Sequence, residues 1–398
     1  RPLTRLGSPM EATMSDYRGE IEELLTRANA MGHGPAQVAL TDEAVRLADL
    51  HGDVEFGYEA RQEHVKSTMF AGLPEQMLVA FSWCLAQYDR TPDAFDAFQL
   101  LWHYKWVVNS LPDFAQISRA QMDEMFTDMA RRYEADGASV QAVWLKRRSA
   151  AIKMGDPAAA EAAQRELAKH RRDHLSDCHA CEIDADVEYF FFLGDDQQGV
   201  ARAVPILEGR YSCSEVPELT YAQLLLPLLR LKRGPEAMIH HVKGYRMIAG
   251  NPVEFIPQLA MHMQFLALTG NFPKAVKLLE KHLLLALETH CLAWRFDFYL
   301  AARLLFERLA ESGRQLLKLR LPEDFPARTE SGDYAPADLV AWLNEQLLDM
   351  ANRFDARNGN DFFRRRIAEL PKIKALGMPM PLPVPVDGEK SGGNRYEK

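Results

Sequence analysis

Apolar residues recur at three- and four-residue intervals along most of this chain, and Gly, Pro or Asn punctuates the periodic stretches. That spacing predicts helices over Asp16–Ala28, Pro35–Leu50, Val54–Phe70, Leu73–Tyr88, Pro92–Val108 and from a Ser118 cap through Glu134. In the second, Val38, Val45, Leu47 and Leu50 fall toward one side. The Pro92–Val108 stretch carries Leu100, Leu101, Trp102, Tyr104 and Trp106, too apolar all round for a surface helix, and is expected between neighbours. Pro35, Pro74, Pro92, Pro157, Pro217, Pro235, Pro273 and Pro336 all stand at helix starts, where the missing N–H costs nothing. Alternating runs of strand type are absent beyond a few residues, so the fold class is all-α.

Three turns in the central part repeat at a fixed interval. Gly194, Lys232 and Gly270 lie 38 residues apart; four places before them stand Phe190, Leu228 and Leu266, and five places after them Gly199, Ala237 and Ala275. A breaker at the turn and a small residue where two helices cross mark a stacked helical repeat. The expectation is a right-handed superhelical solenoid over 16–371, clearest over 157–288, with capping helices within 336–370. Gly137/Ala142 and Gly155/Ala160 repeat the signature only 18 residues apart, so the phase is predicted to slip around Ser139–Met154. Leu292–Glu311 reads as a long helix and Arg320–Tyr334 as a looser stretch. Residues 1–15 read as a disordered leader, and 372–398, with Pro379, Pro381, Pro383 and Pro385, as an extended or disordered tail.

The residues at these turns resemble the tetratricopeptide-repeat class: Gly270-Asn271-Phe272 followed by Ala275 stands where that motif has its Gly, an aromatic and its small Ala. The longer period and Lys232 in place of a turn glycine depart from it. More narrowly, Leu101-Trp102-His103-Tyr104-Lys105-Trp106, Ser176-Asp177-Cys178, Leu226-Pro227-Leu228-Leu229-Arg230, Phe265-Leu266-Ala267-Leu268-Thr269-Gly270-Asn271 and Phe354-Asp355-Ala356-Arg357-Asn358-Gly359 are similar to segments of a group of uncharacterised bacterial tetratricopeptide-like proteins. The likeness spans roughly Gly52 to Arg366; it implies the fold and a cytoplasmic setting and carries no activity across.

A net charge of −9 argues against a body built to lie on nucleic acid or an anionic membrane. The basic runs Lys169 to Arg172 and Arg364 to Arg366 sit near helix ends, where positive side chains suit the dipole. No apolar run approaches the roughly 20 residues that cross a bilayer. Five cysteines in 398 residues make no disulfide framework, which agrees with a reducing, cytoplasmic compartment. Oligomeric state leaves no mark in the sequence.

Candidate chemistry concentrates in Cys178-His179-Ala180-Cys181, with Cys213 lying 35 residues past Cys178. Loops one period apart share a rim in a helical stack, so the three thiols can meet as a structural zinc site, with His174, His179 or Asp177 as fourth ligand and His174 preferred. A thiol-redox pair and plain packing cysteines are the other readings; the redox one lacks the usual βαβ surroundings. Cys84 and Cys291 read as core. His240 and His241 point apart on a helix, and His262 and His282 read as core or surface histidines rather than bases. With no nucleophile elbow, phosphate loop, HExxH or calcium loop, the chain reads as no enzyme.

Binding is the better candidate. Aligned on their turns, the central units place Glu188, Leu226 and Gln264 six residues before the turn, and Phe192, Arg230 and Leu268 two before. Asp184, Glu188, Phe191, Gln223, Arg230 and Gln264 form the candidate concave wall. The leading expectation is a protein–protein interaction scaffold that binds a peptide or protein segment there; the alternative is a regulatory sensor enclosing a small ligand or signalling peptide.

Overall fold

A computed structural model describes residues 9–383, with side chains from Tyr17 onward. It is all-helical: α1 (Pro9–Asn29), α2 (Pro35–His51), α3 (Val54–Phe70), α4 (Pro74–Arg90), α5 (Ala97–Ser110), α6 (Arg119–Ala135), α7 (Gln141–Lys153), α8 (Pro157–Leu167), α9 (His179–Phe192), α10 (Asp196–Leu207), α11 (Glu218–Gln223), α12 (Leu225–Arg230), α13 (Gly234–Ile248), α14 (Ile256–Leu268), α15 (Phe272–Glu288), α16 (Leu292–Glu311), α17 (Pro336–Asn358), α18 (Phe362–Ala368) and α19 (Leu370–Lys374). Among the described residues the only strands are β1 (Leu317–Lys318) and β2 (Asp333–Tyr334), a two-residue antiparallel ladder that pins the stretch expected to be loose.

Most predicted boundaries hold to within two residues, and two need correction. Pro92 opens only a single 3-10 turn, Pro92–Ala94, and α5 restarts where the Asp96 carboxylate accepts the Phe98 N–H. The helix expected from Asp16 begins at Pro9, so part of the leader expected to be disordered is helical: no breaker separates Pro9 from Asp16, and proline suits a first turn. In the tail, the Met378 and Met380 N–H groups donate to the Leu268 and Thr269 carbonyls at 3.0 Å, so this part runs extended against the α14–α15 turn. Residues 1–8 and 384–398, which hold the rest of the expected leader and tail, lie outside the described residues. At α6 the expected Ser118 cap is present, and Gln121 completes a capping box.

The predicted slip of phase does not occur. Gly155, Gly194, Lys232 and Gly270 close the α7–α8, α9–α10, α12–α13 and α14–α15 hairpins with one hydrogen-bond pattern. In each, the turn residue donates to a carbonyl three places back and the next residue to one five places back, as in Asp195 N–H to Phe190 O at 2.9 Å. The turn position therefore needs a left-handed residue: φ is 71°, 80° and 76° at the three glycines, and 58° at Lys232, the one non-glycine with positive φ among the described residues. Gly137 joins one hairpin to the next, between α6 and α7, so its resemblance to the repeat turn is local only. The small residues after the turns lie at helix crossings: Ala160, Ala237 and Ala275 are fully buried, and a Cβ on Gly199 would stand 2.3 Å from the Phe191 ring.

Most helices pack on their neighbours in sequence, α8–α9 and α10–α11 being the exceptions, and α1, α3, α5, α7, α9, α11, α14 and α16 also form an unbroken series in which each touches the next. Large apolar side chains such as Phe81, Phe265, Phe296, Phe298 and Phe354 are fully buried between them, each contributing about 1.5–3 kcal/mol.

Distant parts of the chain also close on one another. Asn251 Nδ2 donates to Phe70 O at 2.8 Å, and Gly72 sits so close to Val253 O that a Cβ there would come within 2.7 Å. The Arg357 guanidinium donates to the carbonyls of Pro112, Phe114 and Ile117 at 2.8, 3.0 and 3.1 Å. Asn358 and Asn360 donate to Met154 O, and Arg119 to Asn358 O. The stretch Arg320–Tyr334 takes no part in these contacts; Arg320 N–H meets Glu280 of α15, and the Phe325 ring meets Trp342 of α17.

Candidate functional site

The neighbouring helices α5, α7 and α9 carry charge, on α7 and α9 at helical spacing. Lys146 and Lys153 stand seven residues apart on α7, and Asp184 and Glu188 four apart on α9, so each pair shares a face. Lys146 Nζ meets Asp177 at 2.7 Å, and Lys105 Nζ meets its other carboxylate oxygen at 3.1 Å while lying 3.3 Å over the Trp102 ring. Lys153 Nζ reaches both Asp113, at 2.8 Å, and the Asn109 carbonyl. Lys146 and Lys153 keep 14% and 26% of their side-chain surface open, so these two ammonium groups are partly reachable while Lys105 is not.

Titration follows this burial. Burial would raise Asp177, but Lys146 and then Lys105 overcome it and hold the carboxyl at about 2. Asp184 accepts from the Thr220 hydroxyl and from Gln223 Nε2, yet burial, aided by Glu188, pushes it up to about 7. Glu254, with one carboxylate oxygen lacking a partner, is pushed up to about 9 by burial and then by Glu215 and Glu218. Burial also raises Glu188 and Glu215 against the opposing lysines.

Asp184 makes stability depend on pH. Unfolded, it loses its proton near pH 4; folded, only near 7, so stability falls as pH rises through that window. Asp184→Asn cannot ionise, and its amide can pair with the Gln223 Oε1 that now has no partner. Urea denaturation is expected to show the variant more stable than wild type by about 1–4 kcal/mol at pH 8 and little changed at pH 4. Equal differences at both values would remove Asp184 as the titrating group.

The six wall residues divide. Asp184, Glu188 and Gln223 lie together, with Asp184 only 6% exposed, and Gln264 is half-buried on α14. Phe191 instead fills the α9–α10 crossing over Gly199, and Arg230 forms a bidentate pair with Asp196 at 2.6 and 2.7 Å. Counting back from a turn finds helix position but not which face a neighbour covers. Lys105, Lys146, Lys153 and Glu254 are the interior residues that this counting missed; charges spaced by seven on α7 were the available signal.

The three thiols do come together. Cys178 caps α9 and its Sγ accepts the Cys181 N–H; Cys181 Sγ lies 3.3 Å from Cys178 Sγ and 3.4 Å from Cys213 Sγ, and all three sulfurs lie within 4.8 Å of one another. Cys213, in the loop between α10 and α11, accepts the Glu215 N–H. Thiol and N–H donors around Cys178 lower its pKa, while the same neighbours and burial raise Cys181. His174 does not join them. Asp173 binds the Ser139 and Leu175 N–H groups, and His174 points outward, 3.6 Å from Asp136 and beside Phe98. His179 meets Arg172 and Tyr211, and Asp177 is held by two lysines.

Of the histidines weighed as bases, His240, His241, His262 and His282 are all buried. His241 and His262 share a buried Nδ1–Nδ1 contact of 3.0 Å, and burial keeps both neutral, His241 at about 4. No helix among the described residues is long and apolar enough to cross a membrane. A scan against protein-family models finds no matching family, and a search of curated proteins finds no match.

Proposed function

We propose that this chain is a non-enzymatic regulatory protein, a right-handed, tetratricopeptide-like superhelix that encloses a small polar ligand or signalling peptide and passes the signal to a cytoplasmic protein partner. A single observation carries the choice of an enclosed ligand: Lys146, Lys153 and Glu188 keep part of their side chains open on neighbouring helices, in a chain whose distant segments Arg357 and Asn251 tie together. The second reading is a scaffold that binds a peptide or protein segment on a concave face. The unbroken series of helix contacts supports the superhelical reading, and the thiol cluster supports a zinc ion at one rim.

The interior suits a ligand bearing both charges, because Lys146 and Lys153 alternate with Glu188 and Glu215. A thermal-shift screen over amino acids, polyamines, organic phosphates and short peptides is expected to yield hits that raise Tm in wild type and are lost in Lys153→Met. A screen without hits, alongside pull-down of a protein whose binding Lys153→Met leaves intact, would return the reading to a scaffold acting through its outer face.

A further inference from the structure

We propose that Cys178, Cys181 and Cys213 form an exchangeable three-thiolate site for one thiophilic divalent ion, zinc or its analogue cadmium, whose fourth ligand comes from outside the chain. The inference deepens the zinc part of the reading above and rests on the trio taking a metal at all.

The local backbone is arranged for thiolates. The Cys181 N–H points at Cys178 Sγ at 3.4 Å and the Glu215 N–H at Cys213 Sγ at 3.5 Å, donors that favour the charged sulfur and fix its orientation. Two ligands come from the first turn of a 14-residue helix and the third from a loop that its own Cys213 N–H to Val216 O bond of 2.9 Å holds in place. The spacing is close to what an ion needs. Tetrahedral zinc with bonds of about 2.3 Å holds its sulfurs about 3.8 Å apart, a few tenths of an ångström beyond the 3.3 and 3.4 Å found here. Small rotations about the cysteine side chains open that gap.

A fourth ligand from the chain is what the geometry lacks. His174, His179 and Asp177 each face other partners, and no carboxylate or imidazole among the described residues joins the group of sulfurs within 4.8 Å. Structural zinc sites are closed by four protein ligands, and an open position marks sites that exchange or accept a further molecule. The trio has one apolar side, Ala180, Ile183, Ile206 and Val216, and one side toward solvent, where Cys178 is exposed. An ion entering there forms three metal–sulfur bonds while the thiol protons leave to solvent. Three thiolates and a divalent ion sum to a single negative charge, with Lys146 and Lys105 behind Asp177 to offset it.

The test uses the full chain, reduced with a phosphine. Cadmium titration followed by the sulfur-to-metal ultraviolet band should saturate at one ion per chain, and Cys178→Ser or Cys213→Ser should weaken binding more than about 100-fold. His174→Ala, His179→Ala and Glu215→Gln should each stay within about threefold of wild type. X-ray absorption of the zinc form should give three sulfurs and one lighter atom, and adding 2-mercaptoethanol to wild type should raise the count to four sulfurs. A hundredfold loss in any of the His or Glu variants, or a shell unmoved by the added thiol, overturns the open position and leaves the zinc reading standing. Absence of the band in fully reduced wild type overturns both.

Discussion

Asp177→Asn is expected to cost about 3–5 kcal/mol of folding stability, because it leaves the Lys105 and Lys146 ammonium groups in the interior without their shared counter-charge. Lys105 has no surface to turn to: its side chain is fully buried over Trp102, and burial already pushes its pKa down against the pull of Asp177. Lys146 has the shorter contact and is raised by it. The expected signature includes pH. Since Asp177 titrates near 2 in the folded chain and near 4 unfolded, wild type keeps this stability above pH 4 and loses it as pH falls toward 2. Asp177→Asn should lack that acid limb. The double change Lys105→Met with Asp177→Asn should recover part of the loss, because a neutral side chain of similar length needs no counter-ion. Guanidinium denaturation that puts the single variant within 1 kcal/mol of wild type would show the triad to be solvated rather than interior.

Arg357→Met is the second large expected effect, a loss of about 3 kcal/mol or more. Burial pushes this guanidinium down to about 10, and it is the donor for three backbone carbonyls, those of Pro112, Phe114 and Ile117. Methionine fills the volume and leaves all three acceptors dry, at about 1 kcal/mol or more each. Arg353→Gln, one turn earlier on α17 and 52% exposed beside Asp349, should change stability by under about 0.5 kcal/mol. Hydrogen exchange separates a local from a long-range role. The Arg357 variant should exchange faster both in α18 and in the loop from Leu111 to Ser118; acceleration confined to α17 and α18 would mean that the contact does not tie the two regions.

The fold was legible where local rules decide it. The α3 helix matches its predicted limits, Val54 to Phe70, because Asp53 caps one end and the other meets Gly72. Lys232 was recognised as standing in a glycine's place, and it carries the left-handed φ that the place demands. The same local rule misled at Gly137, since a helix can end in this way whether the next one belongs to its own hairpin or to the following one. The candidate site was half legible. Cysteine spacing placed three thiols together, but nothing local says that Asp173 turns His174 toward Asp136. Wall positions were found by counting from the turns, whereas the pairing of Arg357 with Pro112, 245 residues apart, has no periodic trace at all.

That last contact limits how the protein can vary. A row of helix pairs whose ends are free can gain or lose a pair, because each leans only on the ones beside it. Here the carbonyls near Pro112 and the guanidinium of Arg357 must arrive at the same point after a fixed number of intervening pairs, and Asn251 must likewise reach Phe70. Duplicating or deleting one pair between them would carry both meetings out of register, so evolution or engineering can lengthen loops on this chain but not change its tally of hairpins.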